Sequence, residues 1–502
     1  MSTATEDLDS PIPASGATDA TGPDPKRWFA LAVIAVAQLM VVLDASIVTI
    51  ALPSAQHSLH ITTDNRQWVM TAYTLAFGGF LLLGGRIADY AGRKRMFIVG
   101  LIGFAGASAM GGVAVNAPML FGARAIQGAF AALLAPAALS LITVTFTEVK
   151  ERATAFGVYG AISGGGAAIG LILGGVLTEY ASWRWCLLVN VPIAIVTALV
   201  AVPIVRESRA HGNTSYDIPG AITVTAGLAA LVYGFTRAAQ SGWTSTTTLT
   251  YLGVAAVLLV AFVIIELRTK NPLLPMRIVL ERTRGGSFLS SLMVGSALMG
   301  MFLFLTYYFQ SNLGYSALKS GFAFLPFSVG IILAAGAASK LLPRTGPRPL
   351  MIAGFLASLL GILWLTQIGA HTSFASHVLP AELLISMGMG MAFVPMSSSA
   401  LFGVGTHDAG VASATLNTTQ QIGGSLGTSL LNTVYATAVA GYLASHVNNK
   451  ATQEAAQIHG YTVGFTISAV FMLVAVLSAV FLVNASRADM ENMAAEVSAV
   501  PV

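Results

Sequence analysis

A single carboxylate inside an apolar run is the first residue of this sequence that could do chemistry. The run VVLDASIVTIALP, residues 41–53, holds Asp44 among side chains that are otherwise almost wholly apolar. An ionised group at membrane depth costs several kcal/mol unless a partner compensates it. Because desolvation disfavours its charged form, a buried Asp44 could take up and release a proton. A structural Asp bonded to the helix backbone, or the binding-site acid of an importer, are the alternatives.

A second costly charge occurs in RAIQGAFAALLAPAALSLI, residues 124–142, where Arg124 opens another apolar run. An isolated guanidinium is expensive inside a membrane. Facing the interior, Arg124 could tune a neighbouring carboxylate or polarise a water molecule. Alternatively, it could extend to an interface or cap a backbone carbonyl. We expect Arg124 to be the partner of Asp44.

Two further stretches combine charge or glycine in a regular spacing. GGRIADYAGRKR, residues 84–95, places a charge cluster after an apolar run, which on its own would be a positively charged membrane anchor. GVYGAISGGGAAIGLILGGVL, residues 157–177, repeats glycine every four residues. Small residues at that spacing allow two helix backbones to approach closely, whatever the function.

The elements that position these residues are membrane helices. The chain has 502 residues, of which 55% are hydrophobic and 9% charged, with a mean hydropathy of +0.76. A soluble protein of this length would carry about a quarter charged residues, so lipid must be the solvent for much of the surface. The apolar runs predict fourteen helices, near 28–51, 67–88, 96–115, 118–143, 153–178, 183–205, 217–236, 249–267, 285–309, 318–342, 349–370, 379–402, 409–440 and 461–484. The expected fold is an all-α polytopic membrane protein.

The basic residues predict the orientation of these helices. With both termini in the cytoplasm, 19 of the 25 Lys and Arg residues fall in inner loops, five in outer loops and one, Arg124, within a span. This distribution follows the positive-inside rule. The net charge of +4 is thereby explained without a nucleic-acid partner. Asp44, about 24 Å along its helix from Trp28 at 1.5 Å per residue, is expected in the outer half of the membrane.

A weak internal repeat predicts the organisation of the chain. Residues 84–100 match 337–354, and 164–170 match 421–427, with an offset near 255 residues. The repeat places Gly92 opposite Gly346. It predicts two six-helix halves separated by an inserted helix pair. The predicted regions are a disordered cytoplasmic tail at 1–26, the first half at 27–206, the inserted helices seven and eight at 207–270, the second half at 271–485 and a cytoplasmic tail at 486–502.

These motifs resemble those of the major facilitator superfamily. The Gly-x-x-x-Asp-x-x-Gly-Arg-Lys loop is similar to the signature loop of that family, and LDASIVTIALP to the first-helix signature of its fourteen-helix drug:proton antiporters. WRWCLLVNVPIAI, YDIPGAITVTAGLAALVYG and NPLLPMRIVLERT resemble the same subfamily, so the likeness spans about residues 28–485. It implies a major facilitator fold in a bacterial inner membrane.

The resemblance also implies roles for named residues. It makes Asp44 and Arg124 proton-coupling residues. The cytoplasmic gate would comprise Gly85, Arg86, Asp89, Gly92 and Arg93. The antiporter motif would contribute the packing glycines Gly166, Gly170, Gly174 and Gly175. Leu171 stands where that motif has a proline, which removes a kink and weakens the inference of antiport.

A substrate cavity is predicted from adaptable side chains in the second half. Helices nine and twelve are dense in Met and aromatic residues, which suit a promiscuous apolar pocket or ordinary packing. The predicted lining residues are Gln127 in the first half and Met299, Phe302, Met387, Met391, Asn417 and Gln421 in the second half. The acids Glu179, Asp217, Glu266 and Glu382 are expected at span ends. A second half without a buried acid favours neutral or monocationic substrates over dications.

Taken together, the sequence predicts a proton-driven exporter of small lipophilic drugs or secondary metabolites that works by alternating access. Asp44 would serve the proton and a cationic substrate in turn. A proton symporter or a lipid flippase on the same fold is the alternative. An intramembrane enzyme would need a nucleophile–base pair or clustered metal ligands, and the eight histidines form no pair at membrane depth. We expect no cofactor and no metal, with protons, lipid and a small molecule as partners of a monomer.

Overall fold

The computed structural model of the chain describes residues 25–146, 148–209, 217–270, 272–370, 372–404, 409–447 and 449–484. This part contains helices and no strand. The helices are α1 Arg27–Ser58, α2 Trp68–Ala91, α3 Arg93–Gly112, α4 Ala117–Thr145, α5 Val149–Tyr180, α6 Trp185–Leu188, α7 Asn190–Ile204, α8 Ile218–Ser241, α9 Thr246–Arg268, α10 Met276–Val279, α11 Arg282–Tyr307, α12 Ala317–Ala323, α13 Leu325–Thr345, α14 Pro347–Leu365, α15 Leu379–Ala400, α16 Ala409–Ala444 and α17 Lys450–Phe481. Two π-helical turns, Tyr308–Asn312 and Phe374–Val378, adjoin α11 and α15.

Most of these helices have the dimensions of membrane spans. In the described part, twelve helical segments are long and apolar enough to cross a bilayer. The helices α5 and α16, with 32 and 36 residues, exceed the length that a bilayer core requires. The chain is therefore a multi-pass membrane protein, as the composition predicts.

Prolines explain where two predicted spans divide. The sixth predicted span is split into α6 and α7 at Val189, just before Pro192. The tenth is split into α12 and α13 at Phe324, where Pro326 occupies the first turn of α13. Proline has no N–H to donate to the carbonyl four residues earlier, so a helix tends to begin or break at it.

The two glycines that the repeat places opposite each other both form turns between helices. Gly92 separates α2 from α3 with φ 115°, and Gly346 separates α13 from α14 with φ 75°. Positive φ is readily adopted only by glycine, so both positions need one. These turns lie at the end of the helices that holds Arg86 and Arg284, called here the basic end. The opposite end is the one that holds Arg66.

The helices pack in two groups. In the first, α1 packs along α5 and α7, while α4 packs between α2 and α3. In the second, α11 packs along α16 and α17, while α15 packs between α13 and α14. The helices α8 and α9 pack on each other, and α8 also contacts α2 of the first group and α16 of the second.

The glycine repeat in α5 forms the contact with α1. A Cβ on Gly170 would lie 1.9 Å from Ser46 Oγ, and one on Gly174 would lie 2.9 Å from the Ile47 carbonyl oxygen. A Cβ on Gly166 would lie 3.1 Å from Val42 Cγ1. The three glycines therefore lie on the face of α5 that packs on α1, where small residues let the two helices approach closely.

The adjoining residues of α5 contact the second group. Gly175 packs against Leu318 of α12, where a Cβ would lie 2.6 Å from the Leu318 Cα. The carbonyl oxygen of Leu171 would lie 2.5 Å from a Cβ on Gly321. Leu171 lies inside α5, which continues without interruption from Val149 to Tyr180.

Candidate functional site

The carboxylate of Asp44 is enclosed on α1, with 0% of the residue exposed. Its Oδ2 accepts a hydrogen bond from Arg124 Nη1 at 2.6 Å. Its Oδ1 accepts two, from Gln127 Nε2 at 2.7 Å and from Asn190 Nδ2 at 2.8 Å. Donors from α4 and α7 therefore surround the anion, as a buried carboxylate requires.

The guanidinium of Arg124 is equally enclosed, with 2% of the residue exposed. Its Nε donates to the Val69 carbonyl oxygen at 3.0 Å and its Nη1 to Gln127 Oε1 at 2.6 Å. Its Cζ lies 4.4 Å from the centroid of the Tyr73 ring, in a cation–π contact. The expected partnership with Asp44 is present in the structure, and Arg124 does not extend to an interface.

Gln127 connects the ion pair to a further helix. Its Nε2 donates to Ser108 Oγ of α3 at 2.7 Å as well as to Asp44. The network thus joins α1, α2, α3, α4 and α7. Gln127 was expected to line a substrate cavity, but its amide nitrogen and oxygen are both engaged with the ion pair.

Local sequence explains how α4 presents these side chains. Arg124 and Gln127 are three residues apart, so they lie on one face of the helix. Gly128 follows them, and a Cβ there would lie 2.3 Å from the Tyr73 carbonyl oxygen. The glycine lets α4 approach α2 closely enough for Arg124 to reach both Val69 and Asp44.

Both oxygens of Asp44 accept hydrogen bonds from donors at 2.6–2.8 Å, Oδ2 one and Oδ1 two. A neutral side chain at this position would no longer balance the charge of Arg124. Since Asp44 is fully buried, a bulky substrate does not touch it in this conformation.

A second buried arginine lies at the opposite end, in the loop between α1 and α2. Arg66 is 3% exposed, and its Nε donates to Asn432 Oδ1 of α16 at 2.9 Å. Its Cζ lies 4.0 Å from the Tyr307 ring centroid and 4.6 Å from that of Tyr435. Among the described residues no carboxylate pairs with it. Sequence reasoning counted Arg66 only as an outer-loop charge.

Other hydrogen bonds join the two helix groups near Arg66. Asn432 Nδ2 donates to Gln67 Oε1 at 2.6 Å. The Tyr307 hydroxyl donates to Gln56 Oε1, and Gln310 Nε2 donates to the Ile50 carbonyl oxygen at 3.0 Å. The two groups are therefore bonded to each other at the opposite end.

The predicted gate residues lie together at the basic end. Arg93 Nε donates to Asp89 Oδ1 at 2.8 Å, which joins the end of α2 to the start of α3. Arg86 Nη2 donates to the Pro272 carbonyl oxygen, beyond α9, at 3.0 Å. The Asp89–Arg93 ion pair lies within the first group of helices. The Arg86 hydrogen bond instead connects that group to the segment that follows α9. Gly85 packs against Pro136.

Glu207, a carboxylate that the sequence analysis did not identify, also lies at the basic end. Glu207 accepts hydrogen bonds from the backbone N–H groups of Lys94 and Arg95, both at 3.1 Å. It therefore caps α3, a favourable position for an anion. Its carboxylate would lie 2.9 Å from a Cβ on Gly92, so this position needs glycine for space as well as for φ.

The predicted cavity residues of the second group do not form one cluster. Met299 of α11 packs against Gly424 of α16, and Gln421 of α16 faces Gly78 of α2. Phe302 belongs to an aromatic cluster, 5.3 Å from the ring of Phe324.

The remaining predicted cavity residues are more open. Met387 is 52% exposed on α15, where Met391 is half-buried. Asn417 is exposed on α16 and donates to the Ser413 carbonyl oxygen at 3.2 Å.

The expectation that the second half lacks a buried acid is wrong. Glu382 lies in the first turn of α15, at the end of a helix as predicted, but it is fully buried. Neither of its carboxylate oxygens accepts a hydrogen bond from the described residues. A helix end need not be at the membrane surface, because neighbouring helices can cover it.

Asn190 belongs to the Asp44 network, and the sequence analysis did not identify it. It lies within WRWCLLVNVPIAI, where it is the one amide in an apolar run. A lone amide at membrane depth needs hydrogen-bond partners, which is the signal that could have identified it.

Comparison with known proteins shows which sequences this chain is similar to. The model of the major facilitator superfamily matches residues 34–428. The puromycin resistance protein pur8 of Streptomyces alboniger is 50% identical over 411 residues, which cover 81% of this chain and 82% of that protein. The cephamycin export protein CmcT of Amycolatopsis lactamdurans is 38% identical over 402 residues, covering 79% and 83%.

Solved structures support the same fold. A bacterial homologue of the human lysosomal transporter Spinster, in an inward-facing and unoccupied conformation, superposes with a TM-score of 0.65. The match covers 93% of this chain and 99% of that chain at 16% identity. At this identity the likeness concerns the fold alone.

Proposed function

Since the chain belongs to the major facilitator superfamily, and is therefore a bacterial membrane transporter and not an enzyme, we propose that it exports antibiotic-like molecules in exchange for protons. The relatives named for puromycin resistance and cephamycin export support the export of drugs. The observation that carries the exchange of protons is the enclosed Asp44 carboxylate, held by Arg124, Gln127 and Asn190.

The proposed topology has fourteen spans and both termini in the cytoplasm. Twelve segments qualify by length and apolarity, and α5 and α16 are the two others. The basic end would then be cytoplasmic, in agreement with the positive-inside rule. The first half would be 27–206, the inserted pair 207–270 and the second half 271–485, with tails at 1–26 and 486–502.

In alternating access, the transporter would close one end of its cavity while the other end opens. The bonds around Arg66 seal the outer end in this conformation. Opening of the outer end would break these bonds. Closure of the basic end would use the gate residues Arg86, Asp89 and Arg93. The glycines of α5 would remain packed on α1, because both helices belong to the first half.

Proton binding to Asp44 would act through Arg124. Neutral Asp44 no longer balances the guanidinium, which would then favour its other partners, the Val69 carbonyl and the Tyr73 ring. That shift would move α4 against α1 and α2 and bias the equilibrium between the two states. A ligand can bias such an equilibrium only by binding the states unequally, and the rearranging ion pair supplies that difference.

The substrate class is proposed to be neutral or monocationic amphiphiles. Asp44 is neutralised by Arg124, so the first half offers no unpaired anion to a dication at this site. Glu382, the buried acid of the second half, can balance at most one positive charge. Met299, Phe302, Met387, Met391, Asn417 and Gln421 remain the proposed cavity residues. A monomer that uses the proton gradient, without a cofactor or metal, fits this scheme.

Transport in proteoliposomes tests the exchange. Vesicles containing the full chain would be loaded with buffer, given a pH gradient and supplied with puromycin as the probe. An antiporter moves puromycin against the direction of proton flow, and a pH-sensitive dye reports protons moving the opposite way. Puromycin and protons moving in the same direction would establish a symporter, and puromycin movement without protons would remove the coupling.

A further inference from the structure

Two buried carboxylates of the inserted helices face each other without a shared donor. Asp217 caps α8 and is 4% exposed, with Oδ1 accepting from the Gly220 N–H at 2.8 Å. Glu266, near the end of α9, is 3% exposed, with Oε2 accepting from the Leu274 N–H at 3.0 Å. The remaining oxygen of each, Asp217 Oδ2 and Glu266 Oε1, has no hydrogen-bond partner among the described residues.

These two unpartnered oxygens converge on one point. A Cβ on Gly220 would lie 2.6 Å from Asp217 Oδ2 and 2.9 Å from Glu266 Oε1, so the oxygens lie within about 5.5 Å of each other. Two buried carboxylates at this separation cannot both be ionised cheaply, so one proton between them is favoured.

The charged groups around the pair are few. The helices packed on α8 are α9, α2 and α16. From α2, the Arg86 guanidinium acts on Glu266. Asp89 of α2 is paired with Arg93, and Arg237 of α8 lies over the Tyr233 ring. On α9, Arg268 is exposed, and α16 contains no Asp, Glu, Lys, Arg or His. Among the described residues one cation, Arg86, thus faces two carboxylates, which leaves one negative charge for a proton to neutralise.

The pair also holds the linker that leads to the second half. Glu266 binds the backbone N–H of Leu274, while Arg86 binds the backbone carbonyl of Pro272 two residues earlier. The linker is therefore held on one side by the inserted helices and on the other by the gate loop of the first half. A second negative charge on the pair would repel Glu266 from Asp217 and attract Arg86 away from Pro272.

We propose that Asp217 and Glu266 form a second proton-binding site, which holds one shared proton while the linker at 272–274 is docked. The ligand is a proton, since the pair is buried and the described residues contain no cluster of three or more His, Cys, Asp or Glu side chains that could hold a metal ion. The proposal deepens the proposed function, on which the place of this site in the transport cycle rests. It gives the inserted helices a role: they sense protons beside the cytoplasmic gate.

Infrared spectroscopy of the full chain in lipid vesicles tests the site without transport. The carbonyl band of a protonated carboxylic acid should be present at low pH and disappear as pH rises. Glu266→Gln and Asp217→Asn should each remove this titrating band. Glu148→Gln, at an exposed acid, should leave it, as should Asp44→Asn, which is designed to abolish exchange. Because Asp44 and other acids can contribute bands of their own, the pair is identified in difference spectra. Wild-type-minus-variant spectra that contain no titrating carboxyl band for either pair variant would overturn the proposal.

A measurement on the unaltered chain keeps the test independent of variant folding. Labelling the carboxyl carbon of every glutamate with carbon-13 should shift the titrating band, because Glu266 shares its proton. A wild-type spectrum in which no titrating carboxyl band responds to the label would also overturn the proposal. Loss of exchange in Asp44→Asn with the infrared band intact would support both proposals. Intact exchange in Asp44→Asn, together with loss of the band in Glu266→Gln, would contradict only the role of Asp44 as the proton carrier.

Discussion

The molecule buries two arginines in different ways. Arg124, inside the first helix group, is neutralised by the Asp44 carboxylate at 2.6 Å. Arg66, at the junction of the two groups, has two tyrosine rings and the Asn432 amide instead of an anion. Both also contact a ring, since Arg124 lies 4.4 Å from the centroid of Tyr73.

The difference teaches what each arginine can do. The first ion pair connects helices that belong to one group, so under the proposed mechanism it would persist while the groups move and would respond to a proton. The second cation binds neutral groups across the junction, so under that mechanism its contacts would break when the opposite end opens. Neutral partners make a weaker, reversible seal, whereas a buried pair is strongly disrupted by losing one member.

The largest effect is expected from breaking the ion pair. Arg124→Ala leaves the buried Asp44 without its cation, and removing one partner of a buried pair costs about 3–5 kcal/mol. Thermal unfolding in detergent should show a marked loss of stability. The double variant Asp44→Asn/Arg124→Ala should regain part of it, because no charge is then left unpaired. Equal stability of Arg124→Ala and wild type would show that the pair is not the stabilising contact.

A smaller effect is expected at the other arginine. Arg66→Ala removes two cation–π contacts, each about 1–2 kcal/mol when desolvated, and one charge-assisted hydrogen bond. The outer end should open more often, and a cysteine introduced at Gln56 should react at least tenfold faster with an impermeant maleimide.

A matched control is available for this labelling. Arg237 stacks on Tyr233 within the single helix α8, at 5.1 Å, so Arg237→Ala removes an arginine–tyrosine contact that does not cross the junction. In Arg237→Ala, the cysteine introduced at Gln56 should be labelled at the rate measured without the Arg237 substitution. The same acceleration in both variants would mean that Arg66 is not a specific seal.

Removing a single donor from Asp44 should cost less than removing its cation. Asn190→Ala leaves Oδ1 with Gln127 and Oδ2 with Arg124, so one hydrogen bond to a charged group is lost, worth about 1.5–3 kcal/mol. Unfolding in detergent should show a drop smaller than that of Arg124→Ala. Ser108→Ala, one step farther from the carboxylate, provides the comparison and should have a weaker effect still. A drop for Asn190→Ala as large as that for Arg124→Ala would reverse the ranking.

The smallest effect is expected from the tyrosine hydroxyl at the junction. Tyr307→Phe keeps the ring over Arg66 but removes the hydrogen bond to Gln56, worth about 1 kcal/mol. Maleimide labelling in this background should use a different reporter position, Gln310→Cys, and rise by less than tenfold. Tyr307→Leu, which also removes the ring, should open the end further. Identical rates for the two variants would show that the ring contributes nothing to the seal.

The sequence predicted the features that depend on neighbouring residues or on a costly charge. A lone carboxylate and a lone guanidinium, both in apolar runs, had to compensate each other, and Asp44 and Arg124 do. The spacing of Gly166, Gly170 and Gly174 required a close helix, which is α1. The apolar runs also predicted the helices, except where proline divided them.

What the sequence could not predict depends on residues far apart in the chain. Arg66 resembles an ordinary loop charge until α11 and α16, which are more than 200 positions away, bring Tyr307 and Tyr435 around it. Glu382 resembles a surface acid at a span end until neighbouring helices cover it. Asp217 and Glu266 also lie at predicted span ends, and only the packing of α8 on α9 turns them toward each other.

The most direct test of the account is proton flux driven by puromycin in proteoliposomes containing Asp44→Asn, beside wild type and Glu148→Gln. Asparagine keeps the size of the side chain but cannot carry the proton. The account predicts that wild type and Glu148→Gln exchange puromycin for protons and that Asp44→Asn loses proton movement by at least tenfold. Coupled exchange in Asp44→Asn at the wild-type rate would contradict Asp44 as the proton carrier.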